Sequence, residues 1–518
     1  MEPLLGCWLN DLLAVLLVAA SAAYAWFSRR FTYWSRRGVP QAEPQIPFGN
    51  LRRSFLGQTR LEFVVQDIYN QFKGERYVGM YQFGIPTLVL RDPDFIRLLL
   101  VKDFDSFRDR GVPHNEQEPL NHNLFFMNGA KWKRMRAKMT PTFTSGKLKM
   151  MCQTMQDCGR EMVEVLGDPA SRGEVVEMRE VSARYATDII ASVAFGVECN
   201  CQRNPEAEFR QWGRKAFEPS LKFRIAQFMH SFVPTVARAL RIGAGTEEVS
   251  AFFRNMVRET VEYREKYNVT RNDFMHLLVQ LKNKGFIDDE KAKAIKDGAK
   301  DIDNWKLSID EVAAQAFVFF LAGFETSSTT MSFALYELAL NPDVQKRLQE
   351  EVDATLQKNS GQLTYEAISE MSYLDKVVSE TLRMYPPGAI LARKCTRRYK
   401  FPEDGPELEE GATVFVPVYG LHNDPQYFPE PQRFNPERFS EEEKAERHPY
   451  VYLPFGEGPR NCIGMRLGLL QTKIGLAYLM SKYEVQRCDQ TVVPMEFNPF
   501  SFVMMPISGI QLRLSNRT

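Results

Sequence analysis

The sequence predicts a mainly α-helical protein with one large globular domain, a small β part and one apolar helix at the N-terminus. At 518 residues the chain is long enough to bury a large core. Apolar residues recur mostly with the helical period, whereas the alternation typical of strands is short and rare. No internal repeat, low-complexity segment or Gly/Ser-rich stretch divides the chain after a proline-containing linker. The body is therefore predicted to fold as a single domain.

The apolar N-terminal segment predicts a membrane anchor. Residues 12–27 carry no charge, and extension back to Leu4 gives roughly the 20 residues that a membrane-spanning helix needs. Basic residues follow at once, namely Arg29, Arg30, Arg36 and Arg37. Because positive charge stays on the cytosolic side, we expect a signal-anchor helix at residues 1–28, a basic and proline-rich linker at 29–50, and a cytosolic body at 51–518. A cleavable signal peptide is the alternative, since small residues lie around 19–23.

Charge and cysteine content exclude several classes of protein. The 66 basic and 65 acidic side chains give a formal charge of +1, so no overall field favours nucleic acid or an acidic partner. The 8 cysteines are sparse and irregularly spaced, unlike a secreted disulfide framework, and indicate a reducing compartment. The close pair Cys199 and Cys201 lacks the second pair that a structural zinc site needs. Buried thiols are expected there instead.

The spacing of apolar residues predicts most of the secondary structure. Helices are expected at residues 61–72, 94–104, 129–139, 150–166, 181–195, 247–266, 308–340, 342–357 and 373–385, and after Cys462. Strand-like alternation predicts a hairpin at 77–91 and short strands at 390–396, at 413–416 and near the C-terminus. The β part is therefore expected to be much smaller than the helical part.

The predicted helix at 308–340 has the features of a core-crossing helix with a functional centre. It would span about 50 Å, and it is apolar around most of its circumference. In its middle, the stretch AGFETSSTT at 322–330 places a glycine, a carboxylate and several hydroxyls where a core helix favours leucine. A buried carboxylate costs free energy, so Glu325 and Thr326 are predicted to be functional. The alternative for Thr326 is a hydroxyl bonded back to its own helix.

The stretch PFGEGPRNCIG at 454–464 predicts a reactive or metal-binding cysteine. Glycine and proline allow this loop to bring Cys462 and neighbouring N–H groups close to a ligand. Helical spacing resumes directly afterwards, which puts the sulfur near a helix N-terminus, where the dipole stabilises a thiolate. Such a thiolate is a nucleophile, a redox centre or a metal ligand. A nucleophile would need a histidine base, and nothing in the context of His448 suggests that it pairs with Cys462, so we favour an iron ligand.

These residues resemble the cytochrome P450 superfamily. The ten residues from Phe455 are similar to its haem-binding signature, with Gly458, Arg460, Cys462 and Gly464 at the family's spacing. Other motifs occur in the family's order: WKRMR with Trp132 and Arg136, AGFET at 322–326, ETLR with Glu380 and Arg383, and PERF at 436–439. The stretches AFGVECN, FFLAGFETSSTT and ETLRMYPP resemble microsomal insect enzymes linked to xenobiotic and insecticide metabolism. The resemblance implies a P450-type α-helical fold with a small β subdomain.

The resemblance also implies roles around haem b (iron protoporphyrin IX). Cys462 would be the proximal iron ligand, Phe455 would shield that face, and Gly464 would complete the cofactor loop. The residues that match the propionate-binding positions of the family are Trp132, Arg136, Arg393 and Arg460.

On the distal side, the resemblance implies a site for dioxygen and protons on the long helix. Ala322 would border this site, and Gly323 would open the helical hydrogen-bond ladder so that dioxygen can lie against it. Glu325 and Thr326 would form an acid–alcohol pair that relays protons. Away from the site, the resemblance implies a buried charge network with a structural role, formed by Glu380, Arg383 and Arg438.

An apolar substrate pocket is expected from the aromatic content around the distal site. The residues that would line it, by their position in the family, are Phe125, Phe317, Phe320, Ile390, Leu391 and Phe502. The segment at 222–236 mixes basic and aromatic residues, and it would either rest on the membrane or pack in the core.

The resemblance implies an NADPH-dependent monooxygenase that inserts one oxygen atom of O2 into lipophilic substrates by hydroxylation, epoxidation or dealkylation. The expected substrates are xenobiotics such as insecticides or plant allelochemicals. A hydroxylase of endogenous hormones, fatty acids or pheromones is the alternative. A haem-thiolate isomerase and a non-catalytic haem carrier are more remote alternatives, because neither needs the Glu325–Thr326 pair in a proton relay.

Electrons must come from another protein, because no flavin or nicotinamide fingerprint occurs in the chain. The resemblance implies the flavoprotein NADPH–cytochrome P450 reductase, with cytochrome b5 as a second donor. The basic residues predicted to dock this acidic partner are Lys131, Lys133, Arg134 and Lys138, with a solvated helix face as the alternative. The resemblance further implies a single-pass protein of the endoplasmic reticulum membrane whose catalytic domain faces the cytosol.

Overall fold

The computed structural model of the chain describes residues 2–217, 247–288 and 305–517, together with residues 225, 228, 229 and 236. Its α-helices are α1 (Glu2–Arg30), α2 (Arg52–Phe55), α3 (Leu61–Gln71), α4 (Pro93–Arg97), α5 (Gly129–Met139), α6 (Ser145–Ser171), α7 (Met178–Ile190), α8 (Glu208–Phe217), α9 (Glu247–Tyr267), α10 (Phe274–Asn283), α11 (Ile309–Leu340), α12 (Pro342–Lys358), α13 (Tyr365–Glu370), α14 (Ser372–Met384), α15 (Val418–His422), α16 (Glu441–Glu446) and α17 (Met465–Lys482). Its strands are β1 (Tyr77–Gln82), β2 (Ile85–Leu90), β3 (Val175–Glu177), β4 (Leu391–Lys394), β5 (Tyr399–Lys400), β6 (Glu407–Leu408), β7 (Thr413–Val416), β8 (Tyr483–Arg487) and β9 (Gln511–Asn516). The segment at 222–236 lies outside the described ranges, so its contact with a membrane or a core stays a prediction.

Several elements begin at or near the predicted residue. α5 and β7 have the predicted bounds. α11 begins one residue after its predicted start because Ser308 caps it. The Ser308 hydroxyl accepts a hydrogen bond of 3.2 Å from the Glu311 N–H, and the Glu311 carboxylate accepts one of 2.8 Å from the Ser308 N–H. Gly464 is the N-cap of α17, so Cys462 lies just before a helix, as expected.

Several other elements differ from the prediction. The single helix expected at 94–104 is interrupted, since α4 continues into a π-helical turn at Leu98–Lys102 and a 3₁₀ turn at Phe104–Ser106. α8 and α10 are helices that the pattern does not predict. β3 and β8 both pair with β9, and such pairings between distant segments leave little local signal.

The chain divides into two compact units, and the first comprises Met1–Gly111 and Ile390–Leu421. Its four-stranded sheet has the order β1-β2-β7-β4, in which β2 and β7 are parallel and the other neighbours are antiparallel. The core between this sheet and α3 includes Val65, Ile68, Val78, Met80 and Val89. This sheet is the main part of the small β subdomain that the sequence predicts.

The first unit also contains the N-terminal apolar helix. Asn10–Arg37 is long and apolar enough to span a membrane, and its apolar window is exposed. Near the end of α1, Trp26 lies against the turn of the β1–β2 hairpin, where a Cβ on Gly84 would come within 2.4 Å of the Trp26 ring. A larger residue at 84 would require the Trp26 ring to move. The length and composition of α1 thus agree with the predicted anchor.

The second unit comprises Val112–Ala389 and His422–Thr518 and is mainly helical. α11 lies at its centre and packs against α7, α9 and α17. A Cβ on Gly468 of α17 would lie 3.5 Å from the hydroxyl of Ser327 on α11. The helix that follows Cys462 and the helix that carries Glu325 are therefore direct neighbours.

Candidate active site

Cys462 lies in a tight loop directly before α17. Gly456 and Gly458 adopt positive φ angles of 67° and 75°, which favour glycine. A hydrogen bond of 2.9 Å from the Cys462 N–H to the Phe455 carbonyl closes the loop. The Cys462 side chain is exposed, whereas that of Cys395 is buried. The loop therefore presents the sulfur at the N-terminal end of a helix, where backbone N–H groups stabilise a thiolate.

Arg136 on α5 is a half-buried cation beside this loop. Its guanidinium donates hydrogen bonds of 2.8 Å to the carbonyl and to the side-chain oxygen of Asn461, the residue before Cys462. Burial lowers the pKa of Arg136, and negative charge on the nearby Cys462 acts in the opposite direction. Among the residues that the structure describes, no carboxylate forms an ion pair with Arg136. Its charge can therefore stabilise both the thiolate and an acidic group of a ligand.

Trp132 and Arg460 form a buried cation–π pair in the same unit as Arg136. The Arg460 guanidinium lies 4.7 Å from the centre of the Trp132 ring, and both side chains are buried. Arg460 also donates hydrogen bonds to the carbonyls of Phe125 and Met127. The structure thus brings three of the four predicted propionate-binding residues to one part of the second unit.

Arg393, the fourth predicted propionate-binding residue, lies on β4 in the first unit. Its side chain is buried, and burial, reinforced by the positive charge of Arg110, lowers the pKa of Arg393 to about 9. Its guanidinium donates to the neighbouring Ala392 carbonyl at 2.9 Å, while the buried Nε has no hydrogen-bond partner. A buried cation of this kind is costly unless an anion compensates it.

These features fit a cofactor that combines a metal with acidic groups. The exposed Cys462 would supply a thiolate ligand, and soft thiolates suit iron. Arg136 is a cation for which the described part of the chain supplies no carboxylate, and the buried Arg460 lies in the same unit. Haem, with one iron and two propionates, has the donor requirements that this set of residues meets.

The two faces of α11 differ in accessibility at the centre of the helix. Phe320 and Phe324 share one face, where they are buried and stack with ring centroids 5.6 Å apart. Ala322 and Thr326 share another face, and Ala322 is exposed although most of α11 is buried. An accessible space therefore lies beside Ala322 and Thr326, at the point where the sequence predicts the distal site.

Glu325 and Thr326 are neighbours in sequence, but they bond to different groups. The Glu325 carboxylate, only 2% exposed, accepts a hydrogen bond of 2.6 Å from Arg179 on α7 and one of 3.5 Å from Thr329. The Thr326 hydroxyl donates to the Ala322 carbonyl on its own helix. Glu325 and Thr326 thus do not bond to each other directly, and their role as an acid–alcohol pair that relays protons stays a prediction. Arg179 is a partner of Glu325 that the sequence does not indicate.

Gly323 does not open the helix, and that prediction is wrong in this structure. α11 continues as an α-helix from Ile309 to Leu340. A Cβ on Gly323 would lie 2.5 Å from the Cδ1 atom of Ile190. α7 and α11 approach closely here, so a larger residue at 323 would require the Ile190 side chain to move.

The predicted substrate-contact residues fall into three groups. Phe125 and Phe502 contact each other in the second unit, with ring centroids 6.4 Å apart, and Phe502 is 77% exposed. Phe317 is half-buried, and its ring centroid is 5.0 Å from that of Phe253. Ile390 and Leu391 are half-buried in the first unit.

Phe320 was the remaining predicted pocket residue, and this prediction is wrong. Its side chain is fully buried and packs against Phe195, Phe209 and Phe253. Because α11 is apolar on several faces, the helical period does not distinguish a residue that faces a pocket from one that faces the core.

The charge network around Glu380 is fully buried. Arg383 donates two hydrogen bonds to the Glu380 carboxylate, of 2.7 and 2.9 Å. The Asn435 N–H and Arg438 donate to the same carboxylate, at 2.9 and 3.3 Å. Arg383 also donates to two carbonyls in the segment that leads towards the cysteine loop, those of His422 and Pro431, at 2.9 and 2.8 Å. The structure thus brings together the three residues expected in this network.

His422 connects this network to the cysteine loop, and sequence reasoning missed it. Its Nδ1 atom lies 3.1 Å from the Arg383 carbonyl, and its Nε2 atom accepts a hydrogen bond of 2.9 Å from the Leu453 N–H. Burial, together with the positive charge of Arg383, lowers the pKa of His422 to about 3. The only sequence signal was a histidine shortly before the PERF motif, in a segment without a regular period.

Because His422 is neutral in the folded protein, the free energy of unfolding depends on pH. Because its pKa is lowered from 6.5 when unfolded to about 3 when folded, its contribution is complete above 6.5 and is lost as the pH falls towards 3. The charged groups that face it are Arg383, itself paired with Glu380, and Arg447. We expect the urea midpoint of the wild-type protein to fall more steeply between these pH values than that of His422→Gln. Equal slopes in tryptophan fluorescence would contradict this.

The predicted docking patch on α5 is smaller than expected. Lys131, Lys133 and Arg134 are exposed, and the Arg134 guanidinium lies 4.6 Å from the centre of the Trp305 ring. Lys138 is buried, and its ammonium donates a hydrogen bond to the Gly285 carbonyl at the end of α10. The prediction that Lys138 docks a partner is therefore wrong, because its charge is used inside the fold.

An exposed thiol before a helix, the cations Arg136 and Arg460 in the same unit and an accessible face on the central helix are typical of a haem-thiolate enzyme. The chain belongs to the cytochrome P450 family, whose family model matches residues 46–514. It is accordingly a haem-dependent monooxygenase.

Curated relatives match over nearly the whole chain. Cytochrome P450 6k1 of Blattella germanica is 41% identical over 523 residues, which cover 100% of this chain and 99% of the relative. Cytochrome P450 6a2 of Drosophila melanogaster is 42% identical over 511 residues, which cover 97% of this chain and 99% of the relative. The similarity thus includes the N-terminal helix as well as the body.

Proposed function

We propose that this protein oxidises lipophilic foreign compounds, such as insecticides or plant allelochemicals, with electrons from NADPH through a separate reductase. The observation that carries the proposal is the exposed Cys462 in its tight loop before α17, next to the half-buried Arg136. The apolar character of the substrate is supported by Phe125 and the highly exposed Phe502, which contact each other.

The residues around Cys462 would bind and orient the cofactor. When bound, haem supplies the activation of dioxygen, and a thiolate ligand favours O–O bond cleavage. Cys462 would hold the iron, with Phe455 and Gly464 in the same loop. The side chains that would hold the propionates are Trp132, Arg136, Arg393 and Arg460.

Proton delivery to the distal site would use both Glu325 and Thr326 on α11. Arg179 is 22% exposed and holds the buried Glu325 carboxylate, so this pair connects the solvent to the interior of the helix bundle. Thr326 lies on the accessible face beside Ala322 and would be the last protein donor. Because Glu325 and Thr326 bond to different groups, a water molecule would have to carry the proton between them.

We also propose where the protein is located in the cell and which proteins supply its electrons. Residues 1–28 would anchor it in the endoplasmic reticulum membrane, residues 29–50 would act as linker, and residues 51–518 would form the cytosolic catalytic domain. The exposed Lys131, Lys133 and Arg134 would dock NADPH–cytochrome P450 reductase, with cytochrome b5 as a second donor.

The function is tested by reconstituting the full chain in membranes with reductase and NADPH. We expect oxidation of a lipophilic insecticide that depends on NADPH, dioxygen and reductase. Products from a peroxide substrate without NADPH would instead indicate an isomerase. NADPH consumption no higher than that of reductase alone, with every substrate class, would indicate a haem carrier. Turnover of fatty acids or hormones but of no foreign compound would overturn the substrate class.

Replacing Thr326 with alanine tests the last step of proton delivery. We expect Thr326→Ala to retain haem but to form about tenfold less product per NADPH, with more hydrogen peroxide released, because the donor beside Ala322 is lost. Thr330→Ala is the matched control, since its hydroxyl bonds to the Thr326 carbonyl at 2.8 Å one turn along and is buried. An equal amount of product per NADPH in the two variants would exclude Thr326 as the proton donor.

A further inference from the structure

We propose that His422 is a positioning residue for the Cys462 thiolate, because its imidazole fixes the segment from which the cysteine loop starts. This inference rests on the proposed ligation of haem iron by Cys462. It concerns neither the substrate nor the proton path, and it depends only on groups within the second unit.

The partners of His422 determine its tautomer. A carbonyl can only accept a hydrogen bond, so the Nδ1 atom, 3.1 Å from the Arg383 carbonyl, must carry the proton. The Leu453 N–H can only donate, so the Nε2 atom at 2.9 Å must be unprotonated. The neutral imidazole is therefore a bridge with one donor and one acceptor, and its side chain is fully buried.

The bridge joins two parts of the chain that are far apart in sequence. Arg383 ends the Glu380 network on α14, and its guanidinium donates back to the His422 carbonyl at 2.9 Å. His422 and Arg383 thus hold each other through both backbone and side chain. This network is buried and its members make several hydrogen bonds each, so it keeps the His422 imidazole in a fixed position. The Leu453 N–H that His422 binds is thereby fixed as well.

Leu453 is the last residue before the glycine-containing cysteine loop. Its N–H donates to His422, and its carbonyl accepts a hydrogen bond of 3.1 Å from the Gly456 N–H. Two residues further along, the Phe455 carbonyl accepts from the Cys462 N–H at 2.9 Å. The sulfur is therefore connected to His422 by two short turns, and a shift of Leu453 is transmitted to Cys462.

Loss of the acceptor at Nε2 would leave the buried Leu453 N–H unpaired. An unpaired buried donor favours conformations in which it reaches water or another acceptor. Here that means displacement of the start of the loop, with the thiolate withdrawn or protonated. The expected consequence is a change in the ligation of haem rather than only a loss of folded protein.

Two substitutions separate the two ends of the imidazole. In His422→Gln, the amide oxygen reaches the position of Nε2 and can accept from the Leu453 N–H. In His422→Asn, the shorter amide reaches only the position of Nδ1, so the contact with Arg383 is kept and the contact with Leu453 is lost. Tyr452→Phe is the control: it removes a hydrogen bond of 2.9 Å to the Ser379 carbonyl from the same segment but leaves the Leu453 N–H paired.

The experiment is the carbon monoxide difference spectrum of the reduced full-length protein, normalised to total haem, with electron paramagnetic resonance of the ferric state as a second readout. We expect His422→Asn to raise the ratio of unshifted to red-shifted band about tenfold, the effect of one unpaired buried donor. His422→Gln and Tyr452→Phe should keep the wild-type ratio and the wild-type ferric signal.

The outcomes distinguish the inference from a purely structural role and from the proposed function. If His422→Asn lowers only the yield of haem protein, while the remaining haem keeps the wild-type ratio and ferric signal, the positioning role is overturned. If His422→Gln changes the band ratio as much as His422→Asn, the contact with Leu453 does not determine the position of the thiolate. That result also overturns the positioning role of His422. If the wild-type protein itself lacks the red-shifted band, the proposed ligation by Cys462 fails instead.

Discussion

Replacing Cys462 with serine is expected to abolish the red-shifted carbon monoxide band and all NADPH-dependent product formation. A serine hydroxyl keeps its proton under conditions in which a thiol at a helix N-terminus loses it, so Cys462→Ser offers no anionic sulfur to iron. Arg136, which lies beside the loop, cannot compensate because it stabilises a charge that the serine does not carry. The measurement is the difference spectrum together with product formation in the reconstituted system.

The control for this substitution is a second cysteine of the same unit. Cys488 follows β8 and is half-buried, with its sulfur near the Thr491 hydroxyl and the Gln511 carbonyl. Cys488→Ser should therefore keep both the band and the activity. A red-shifted band that survives in Cys462→Ser but disappears in Cys488→Ser would mean that the thiolate ligand has been misassigned.

The sequence predicts the parts of the site that are encoded within a few residues. The loop around Cys462 is specified by its glycines and by the helix that follows, and the start of α11 is specified by Ser308 and Glu311. In both cases the interacting groups lie within seven residues of each other, so one stretch of sequence contains the whole interaction.

Interactions between distant residues could not be predicted in the same way. The partner of Glu325 is Arg179 on another helix, and the partner of the Leu453 N–H is His422. A single sequence shows which residues are costly to bury but not which distant group compensates them. The same limit explains the errors at Phe320 and Lys138, because helical spacing alone does not say which neighbour covers each face of a helix.

Replacing Glu380 with glutamine is expected to destabilise the second unit strongly. Its carboxylate accepts hydrogen bonds from Arg383, Arg438 and the Asn435 N–H, and all of these groups are buried. Glu380→Gln leaves two buried guanidinium groups without their counter-charge, which costs about 3–5 kcal/mol. Since whole domains are stable by only about 5–15 kcal/mol, we expect a much lower urea midpoint and a clearly lower yield of haem-containing protein.

A matched control lies in the neighbouring PERF motif. Glu437 forms ion pairs with Arg347 and Lys376, but its side chain is 43% exposed. Exposed pairs of this kind contribute about 0–1 kcal/mol, so Glu437→Gln should yield normal amounts of haem protein with a nearly unchanged urea midpoint. The expected contrast would be contradicted if Glu380→Gln and Glu437→Gln gave the same yield and the same midpoint.

Removing both charges would not restore the fold, because Arg383 does more than neutralise Glu380. Its guanidinium also donates to the carbonyls of His422 and Pro431, at 2.9 and 2.8 Å. In the double variant Glu380→Leu with Arg383→Leu, the buried charge imbalance is smaller, but both carbonyls lose their donor. We therefore expect the double variant to recover only part of the haem protein that the single variant loses, and full recovery would show that Arg383 acts through its charge alone.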